Sequence, residues 1–194
     1  FAWVTKKLMG KVGVPLVTTN RINMPHVAEQ VLADGCADLV SMARPWLADG
    51  EIMAKALEGR EAEINTCIAC NQACLDRTFK GKVAGCVVNP RAGRETEYPQ
   101  VATEKLEGRY AVVGGGPAGM STALELARRG AQVDLYEARE ALGGQFLLAR
   151  QVPGKEEFAE TLRHYQHELD AHGVRIHLST RFEPGMVEAA EAAG

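Results

Sequence analysis

Four cysteines lie close together in the sequence, in a pattern that can bind metal. Cys67, Cys70, Cys74 and Cys86 are separated by two, three and eleven residues, and Cys36 stands apart. Four thiolates suit either a zinc ion or an iron–sulfur cluster. Structural zinc sites usually take their cysteines in two pairs, so the three-plus-one grouping favours a [4Fe–4S] cluster. A zinc site and structural thiols without metal remain the alternatives.

A second candidate site is glycine-rich. Residues 114–119, Gly-Gly-Gly-Pro-Ala-Gly, satisfy the pattern G-x-G-x-x-G between an apolar predicted strand and a predicted helix. Gly114 permits a tight turn, Gly116 lets the backbone approach a pyrophosphate, and Gly119 allows close packing of helix on strand. The helix N-terminus would direct N–H groups at the phosphates. The pattern predicts a dinucleotide site, and a glycine-rich turn without ligand is the alternative.

An acidic residue and a second glycine pair indicate which dinucleotide binds. Glu137 follows the next predicted strand, eighteen residues after Gly119. A carboxylate there accepts hydrogen bonds from ribose hydroxyls and repels a 2′-phosphate, which argues against NADP at this site. Gly143, Gly144 and Gln145 come next. Such a glycine pair is typical of flavoproteins that bind two dinucleotides, so it favours FAD over NAD, with a simple surface turn as the alternative.

Two arginines follow predicted strands near the start of the chain. Arg21 comes after strand 15–19 and Arg44 after strand 38–42. Ligands of α/β folds bind at the carboxyl ends of parallel strands. If these are the last two strands of a β/α barrel, Arg21 and the Ala43–Arg44 backbone would hold a phosphate. Taken singly, each arginine is more typical of a surface ion pair.

The elements that position these residues predict an α/β protein in three parts. Strand and helix signals alternate over residues 1–60, with Asn23 as a helix cap, which predicts the tail of a larger parallel α/β domain. Residues 61–108 lack periodicity and are interpreted as a cysteine-rich iron–sulfur segment and linker. Residues 109–194 predict the first part of a Rossmann-like FAD-binding domain. The histidines of its last helix, among them His164, are predicted to face solvent and receive no role.

Composition limits the partners. A formal net charge of −3 gives no reason to expect nucleic acid. No apolar run approaches the roughly 20 residues of a membrane span, and the start has no signal peptide. An odd number of cysteines, mostly clustered, argues against a disulfide framework and favours a reducing cytoplasm. Because the first residue is not Met, the chain is expected to be an internal fragment.

Several motifs occur together in an order that resembles a known family. They are Val-Thr-Thr-Asn-Arg-Ile at 17–22, Ser-Met-Ala-Arg-Pro at 41–45, the segment Asn-Thr-Cys-Ile-Ala-Cys-Asn-Gln-Ala-Cys at 65–74, the glycines of 114–119, and Val-Pro-Gly-Lys-Glu-Glu-Phe at 152–158. Over essentially all residues the chain resembles the bacterial NADPH-dependent 2,4-dienoyl-CoA reductases, in the old yellow enzyme and trimethylamine dehydrogenase-like group of flavoenzymes.

The resemblance implies an electron path from NADPH through FAD, a [4Fe–4S] cluster and FMN to a small-molecule dienoyl-CoA thioester. It implies that residues 1–60 are the C-terminal end of a (β/α)8 barrel that binds FMN, and that Arg21, Ala43 and Arg44 contact the FMN phosphate. It also implies that the four clustered cysteines hold the [4Fe–4S] cluster. For FAD it implies contacts from Ala118, Glu137 and Gln145.

The proton donors of that family and its NADPH site lie outside this sequence, so no catalytic residue is predicted here and residues 1–194 alone are expected to be inactive. Three alternatives remain: a related amine dehydrogenase or enone reductase, an FAD and iron–sulfur module serving a partner subunit, and a zinc-stabilised binding domain.

Overall fold

The computed structural model describes residues 1–98, 104–183 and 185–187. The chain divides into two compact units, residues 1–100 and 101–194. The cysteine segment as far as residue 98 belongs to the first unit. Residues 99–103, the end of the predicted linker, and residues 184 and 188–194 lie outside the described part.

The first unit is built from short helices around a parallel strand pair. Its elements are α1 (Ala2–Lys6), β1 (Val17–Thr19), α2 (Pro25–Ala33), β2 (Leu39–Ser41), α3 (Arg44–Ala48), α4 (Ile52–Leu57), a 3-10 helix (Glu61–Glu63) and α5 (Leu75–Thr78). Strand β1 pairs with β2 in parallel, with Val17 opposite Leu39. A parallel pair joined by a helix is the unit from which a β/α barrel is made.

The core of the first unit lies behind the cysteine segment. Met24, Ile52 and Ile64 are buried against one another. The hydroxyl group of Thr66, which is fully buried, lies 3.1 Å from the Met24 sulfur. Val17, by contrast, is 53% exposed on the outward side of β1. The core therefore supports the residues that lead into the cysteines.

The second unit is a parallel sheet with helices. Its elements are β3 (Arg109–Val113), α6 (Pro117–Arg128), β4 (Gln132–Tyr136), α7 (Phe146–Ala149), α8 (Phe158–Ala171) and β5 (Arg175–His177). The strand order is β3-β4-β5, and both pairs are parallel. Together with the first unit, this arrangement confirms the predicted α/β class.

One face of this sheet forms the core of the second unit. Met120, Leu135 and Leu169 are completely buried among the residues packed between the sheet and helices α6 and α8. The prediction that His164 faces solvent is wrong, since it is buried on α8 with 8% exposure. Within the described residues, no helix is long and apolar enough to cross a membrane.

The opposite face of the sheet carries charge. The Asp134 carboxylate on β4 accepts hydrogen bonds from Arg175 at 2.8 and 2.5 Å and lies 2.8 Å from the His177 ring nitrogen Nε2. Burial acts to raise the pKa of Asp134, but the hydrogen bonds from Arg175 and His177 outweigh it, and the pKa is lowered. This network ties β4 to β5 on the face away from the apolar core.

Candidate functional site: a cysteine-lined cavity and a glycine-rich loop

The four clustered cysteines surround one cavity in the first unit. All four are half-buried free thiols, and the cavity they line is closed by Arg44 and by apolar side chains that include Leu47, Ile68, Val87 and Val88. In the described part of the chain, no group of three or more His, Cys, Asp or Glu side chains converges closely enough to hold a metal ion as it stands. The sulfurs thus face a shared space without meeting at a single point.

Side-chain amides hold the backbone around this cavity. The Asn23 amide donates to the Cys67 carbonyl at 3.0 Å, and the Asn65 amide donates to the Val88 carbonyl at 2.7 Å. The segment between Cys74 and Cys86 contains no strand, but the N–H of Gly85 donates to the carbonyl of Ala73 at 2.8 Å. These bonds bring the fourth cysteine back to the first three without a sheet.

The bonding of Asn23 differs from the prediction that it caps a helix. Met24 occupies the cap position of α2, without a side-chain hydrogen bond to the helix. The side chain of Asn23 instead forms a hydrogen bond with the cysteine segment. An asparagine just before a helix predicts a cap. The hydrogen-bond partner of Asn23 lies 44 residues away in the sequence, and local sequence patterns do not reveal such a distant contact.

Asp49 supports the start of the cysteine segment. Its carboxylate accepts the N–H of Asn65 at 2.9 Å and the ammonium of Lys55 at 2.8 Å. Burial acts to raise the pKa of Asp49, but hydrogen bonds from Lys55 and from the N–H groups of Asn65 and Glu51 lower it more, so the pKa lies below 3.8, its ordinary value. Sequence reasoning missed Asp49, because nothing in the local pattern links it to the cysteines.

The electrostatics of the thiols follow from their burial. Burial raises the pKa of Cys67 and of Cys86, and the neighbouring cysteines act in the same direction. The N–H of Ala69 bonds to Cys67, and the N–H groups of Val88 and Asn89 bond to Cys86, which partly opposes the rise. Backbone N–H groups directed at sulfur are one of the features that tune iron–sulfur clusters.

The two predicted phosphate-binding arginines lie differently with respect to the cavity. Arg21 follows β1 after one intervening residue, Asn20, and has a left-handed conformation, φ 59°. Arg44, the first residue of α3 after Ala43, lines the cysteine cavity and donates to the side-chain carbonyls of Asn71 and, at 3.4 Å, Asn20. The structure therefore connects Arg44 to the cysteine loop. That either arginine contacts FMN phosphate stays a prediction.

In the second unit, the glycine-rich loop joins β3 to α6 as the pattern predicts. Gly114 has φ 101° and donates its N–H to the Tyr136 carbonyl at 2.8 Å. A Cβ atom on Gly119 would lie 1.8 Å from the Gly114 carbonyl oxygen, so only glycine fits there. Gly116 caps α6, and the exposed Ala118 lies in its first turn. The first N–H groups of α6 have no partner within the helix and are available to an anion.

Glu137 organises this loop from the end of β4. One carboxylate oxygen accepts the N–H of Gly115 and the other accepts the N–H of Arg139, both at 2.8 Å. The side chain is buried, and a Cβ on Gly115 would lie 3.1 Å from it. Each carboxylate oxygen has a second lone pair, so the predicted bond to a ribose hydroxyl is compatible with this role. Sequence reasoning missed Gly115 as the partner of Glu137.

The second glycine pair packs on the same loop. Gly143, with φ 125°, donates its N–H to the Gly115 carbonyl at 2.8 Å, and a Cβ on Gly144 would lie 3.1 Å from the Gly116 Cα. The exposed Gln145 follows at the start of α7. The structure thus brings 114–119, Glu137 and the 143–144 pair together, which is a closer association than a simple surface turn would require.

Two stretches of the chain match known protein families. Residues 3–63 match the NADH:flavin oxidoreductase / NADH oxidase family. Residues 112–183 match the NAD(P)-binding Rossmann-like domain. The first match contains the arginines that follow β1 and β2, and the second contains the glycine-rich loop and most of the second unit.

The chain is also similar to curated proteins along its whole length. It is 36% identical to a metal reductase of Desulforamulus reducens, covering all of this chain and 29% of that protein. It is 39% identical to an NADH oxidase of Thermoanaerobacter brockii, covering 90% of this chain and 27% of that protein. The chain therefore spans less than a third of the length of these relatives.

A solved structure supports the fold. The chain matches 2-naphthoyl-CoA reductase in complex with 2-naphthoyl-CoA, with a TM-score of 0.84 and 36% identity over 97% of this chain and 28% of that one. Amine dehydrogenases are also among the relatives. The chain is thus homologous to one segment of multidomain, flavin-dependent oxidoreductases of the NADH oxidase and old yellow enzyme type.

Proposed function

We propose that this chain is the segment of a cytoplasmic flavoprotein oxidoreductase in which an iron–sulfur cluster transfers electrons from one flavin to another. Electrons would pass from NADPH through FAD, the cluster and FMN to a 2,4-dienoyl-CoA thioester. The observation that carries this proposal is the arrangement of the four cysteines, which line one cavity with free thiols.

The residues around the cavity fit a [4Fe–4S] cluster. Cys67, Cys70, Cys74 and Cys86 would supply the four thiolate ligands. Apolar neighbours limit the access of water, and backbone N–H groups already bond to Cys67 and Cys86. When bound, such a cluster carries single electrons, whereas zinc has no redox role. Homology to flavin-dependent oxidoreductases favours the redox-active group over zinc.

The glycine-rich loop is proposed to bind FAD. The N-terminus of α6 would hold the pyrophosphate, with Gly116 allowing close approach of the backbone. Glu137 would bind the ribose while it fixes the loop through Gly115. Ala118, Gly144 and Gln145 would complete the contacts. The NADPH site is proposed to lie outside this chain.

Binding of FMN is proposed for the end of the barrel. Arg21 and the Ala43–Arg44 backbone follow the two parallel strands, where phosphate groups bind in β/α barrels. The match of residues 3–63 to an FMN-dependent family supports this location.

The substrate is proposed to be an unsaturated acyl-CoA. Its support is the 36% identity to 2-naphthoyl-CoA reductase. Oxidation of an amine is the second candidate, because amine dehydrogenases are also homologous. The two substrates can be separated by anaerobic assays of the purified full-length protein that contains this chain. One assay uses NADPH and a 2,4-dienoyl-CoA, and a parallel assay uses secondary and tertiary amines with an artificial electron acceptor. We expect dienoyl-dependent oxidation of NADPH. Turnover of amines alone would contradict the proposed substrate.

A further inference from the structure

Arg44 connects three parts of the first unit. It begins α3 shortly after the end of β2 at Ser41. Its guanidinium donates to the side-chain carbonyls of Asn20 and Asn71, and its side chain lines the cavity that the cysteines surround. Asn20 follows β1, and Asn71 lies between the second and third cysteines. A single cation therefore ties both strand ends to the cysteine loop.

The geometry of Asn71 suits this task. Its backbone is left-handed, φ 62°, a conformation that asparagine and glycine adopt more readily than other residues. In that conformation its side-chain carbonyl accepts a hydrogen bond from the Arg44 guanidinium. Because a guanidinium carries five donors in a rigid fork, bonds to Asn71 and Asn20 leave donors for another group.

The position and the positive charge of Arg44 bear on the reduction potential of a cluster bound by the four cysteines. An arginine beside four thiolate ligands places a permanent positive charge next to a group that becomes more negative when it accepts an electron. Charge near the cluster and hydrogen bonding around it set the potential of an iron–sulfur cluster. The cavity side of Arg44 borders apolar side chains such as Leu47 and Val88, whereas its hydrogen bonds to Asn71 and Asn20 are exposed to solvent. Water therefore screens part of its charge, and the charge acts on the cluster at short range.

We infer that Arg44, held in place by Asn71, is a positioning residue that raises the reduction potential of the cluster, in addition to any contact it makes with FMN phosphate. The inference rests on the proposed function, since it requires a cluster at the four cysteines. It predicts a larger effect from removing the charge of Arg44 and a smaller one from removing Asn71, which acts on the cluster through the position of that charge.

The test is a redox titration of the purified holoprotein, followed by the electron paramagnetic resonance signal of the reduced cluster. In Arg44→Gln, the ratio of reduced to oxidised cluster at the wild-type midpoint is expected to fall about tenfold, a shift of about 59 mV for one electron. Arg44→Lys, which keeps the charge, should lie closer to wild type. Asn71→Gly keeps the left-handed backbone and removes the acceptor, so it should shift the potential in the same direction by less.

Arg60→Gln is the matched control. It removes one positive charge from the same unit at a residue that pairs with Glu58 and Glu63 and does not line the cavity. Its potential should equal that of wild type.

If the cluster of Arg44→Gln keeps its wild-type potential, the inference about Arg44 is overturned and the proposed function is not. If Arg44→Gln does not retain its cluster, an unshifted potential in Asn71→Gly has the same meaning. Loss of FMN from Arg44→Gln with an unshifted cluster would also overturn it. Wild-type protein without iron would instead overturn the proposed function.

Discussion

The cysteine segment and the glycine-rich loop are held in place by opposite means. Around the cysteines, side chains such as Asn23, Asn65 and Asp49 bond to the backbone. In the glycine-rich loop, the missing side chains of Gly115 and Gly119 allow backbone and helix to come into contact. The cysteine segment should therefore be destabilised when polar side-chain atoms are removed. The glycine-rich loop should be destabilised when side-chain atoms are added.

The largest loss of stability is expected from Asp49→Ala. The change leaves the ammonium of Lys55, 13% exposed, without its carboxylate, and the N–H of Asn65 without its acceptor. Breaking such a buried pair costs about 3–5 kcal/mol. Denaturant unfolding at neutral pH measures the cost. Asp34→Ala, at an exposed residue bonded to Gln30, is the control and should change the free energy by less than about 0.5 kcal/mol.

Acid should remove the contribution of Asp49. Since its folded pKa lies below 3.8, the ordinary value, its stabilising contribution is complete above that value and is lost as the pH falls through the lower folded pKa. The stability difference between wild type and Asp49→Asn should therefore shrink below about pH 4. A difference that does not change with pH would show that the charge of Asp49 is not what stabilises this region.

Adding one methyl group should break the glycine-rich loop. In Gly119→Ala the new Cβ would lie 1.8 Å from the Gly114 carbonyl oxygen, whereas in Gly116→Ala it would lie 4.0 Å from the nearest Cα. Overpacking of this kind costs about 1–3 kcal/mol. We expect Gly119→Ala to lose both stability and FAD, and Gly116→Ala to lose FAD affinity alone. Equal stability of the two variants would contradict the steric account.

Glu137→Gln tests a buried polar side chain that bonds to the backbone of the glycine-rich loop. Its amide group would direct an N–H toward the N–H of either Gly115 or Arg139, both of which now donate to the carboxylate. A buried donor left without its acceptor costs about 1–3 kcal/mol. Thermal unfolding and FAD titration measure the result, with the exposed Glu140→Gln as control. FAD binding unchanged in Glu137→Gln would refute its proposed role at the ribose.

The smallest effect on stability is expected from Asn65→Ala. This change removes the 2.7 Å hydrogen bond to the Val88 carbonyl, worth about 0.5–1.5 kcal/mol. Because Val88 lies two residues after Cys86, loss of this bond should loosen the fourth cysteine. We therefore expect a larger effect on metal retention than on the free energy of unfolding. Metal content after dialysis against a chelator, compared with unfolding data, separates the two effects. Metal content equal to that of wild type would argue that the amide bonds do not position the fourth cysteine.

The sequence predicted these two regions unequally. The strand and the helix predicted on either side of the glycine-rich pattern are β3 and α6, and the next predicted strand, which Glu137 follows, is β4. Apolar residues and glycines at fixed spacing predict such elements directly, because the pattern depends only on neighbouring residues. Helices α3 and α5, of five and four residues, were not predicted, because they are too short to show a helical period.

Contacts distant in sequence could not be predicted. Asn23, interpreted as a cap, bonds to Cys67, and Arg44, interpreted as a phosphate ligand, bonds to Asn71. In each case the polar residue type indicates that a hydrogen bond forms. It does not indicate the partner, because the fold determines which distant residue comes close. His164 is predicted to face solvent, whereas the packing of α8 buries it.

Iron and acid-labile sulfide analysis of anaerobically purified protein tests the central claim most directly. The account predicts iron and sulfide in equal amounts, their loss in Cys86→Ser, and their retention in Cys36→Ser, which changes a buried cysteine outside the cavity. Zinc without iron, or an iron content that Cys86→Ser leaves unchanged, would contradict it.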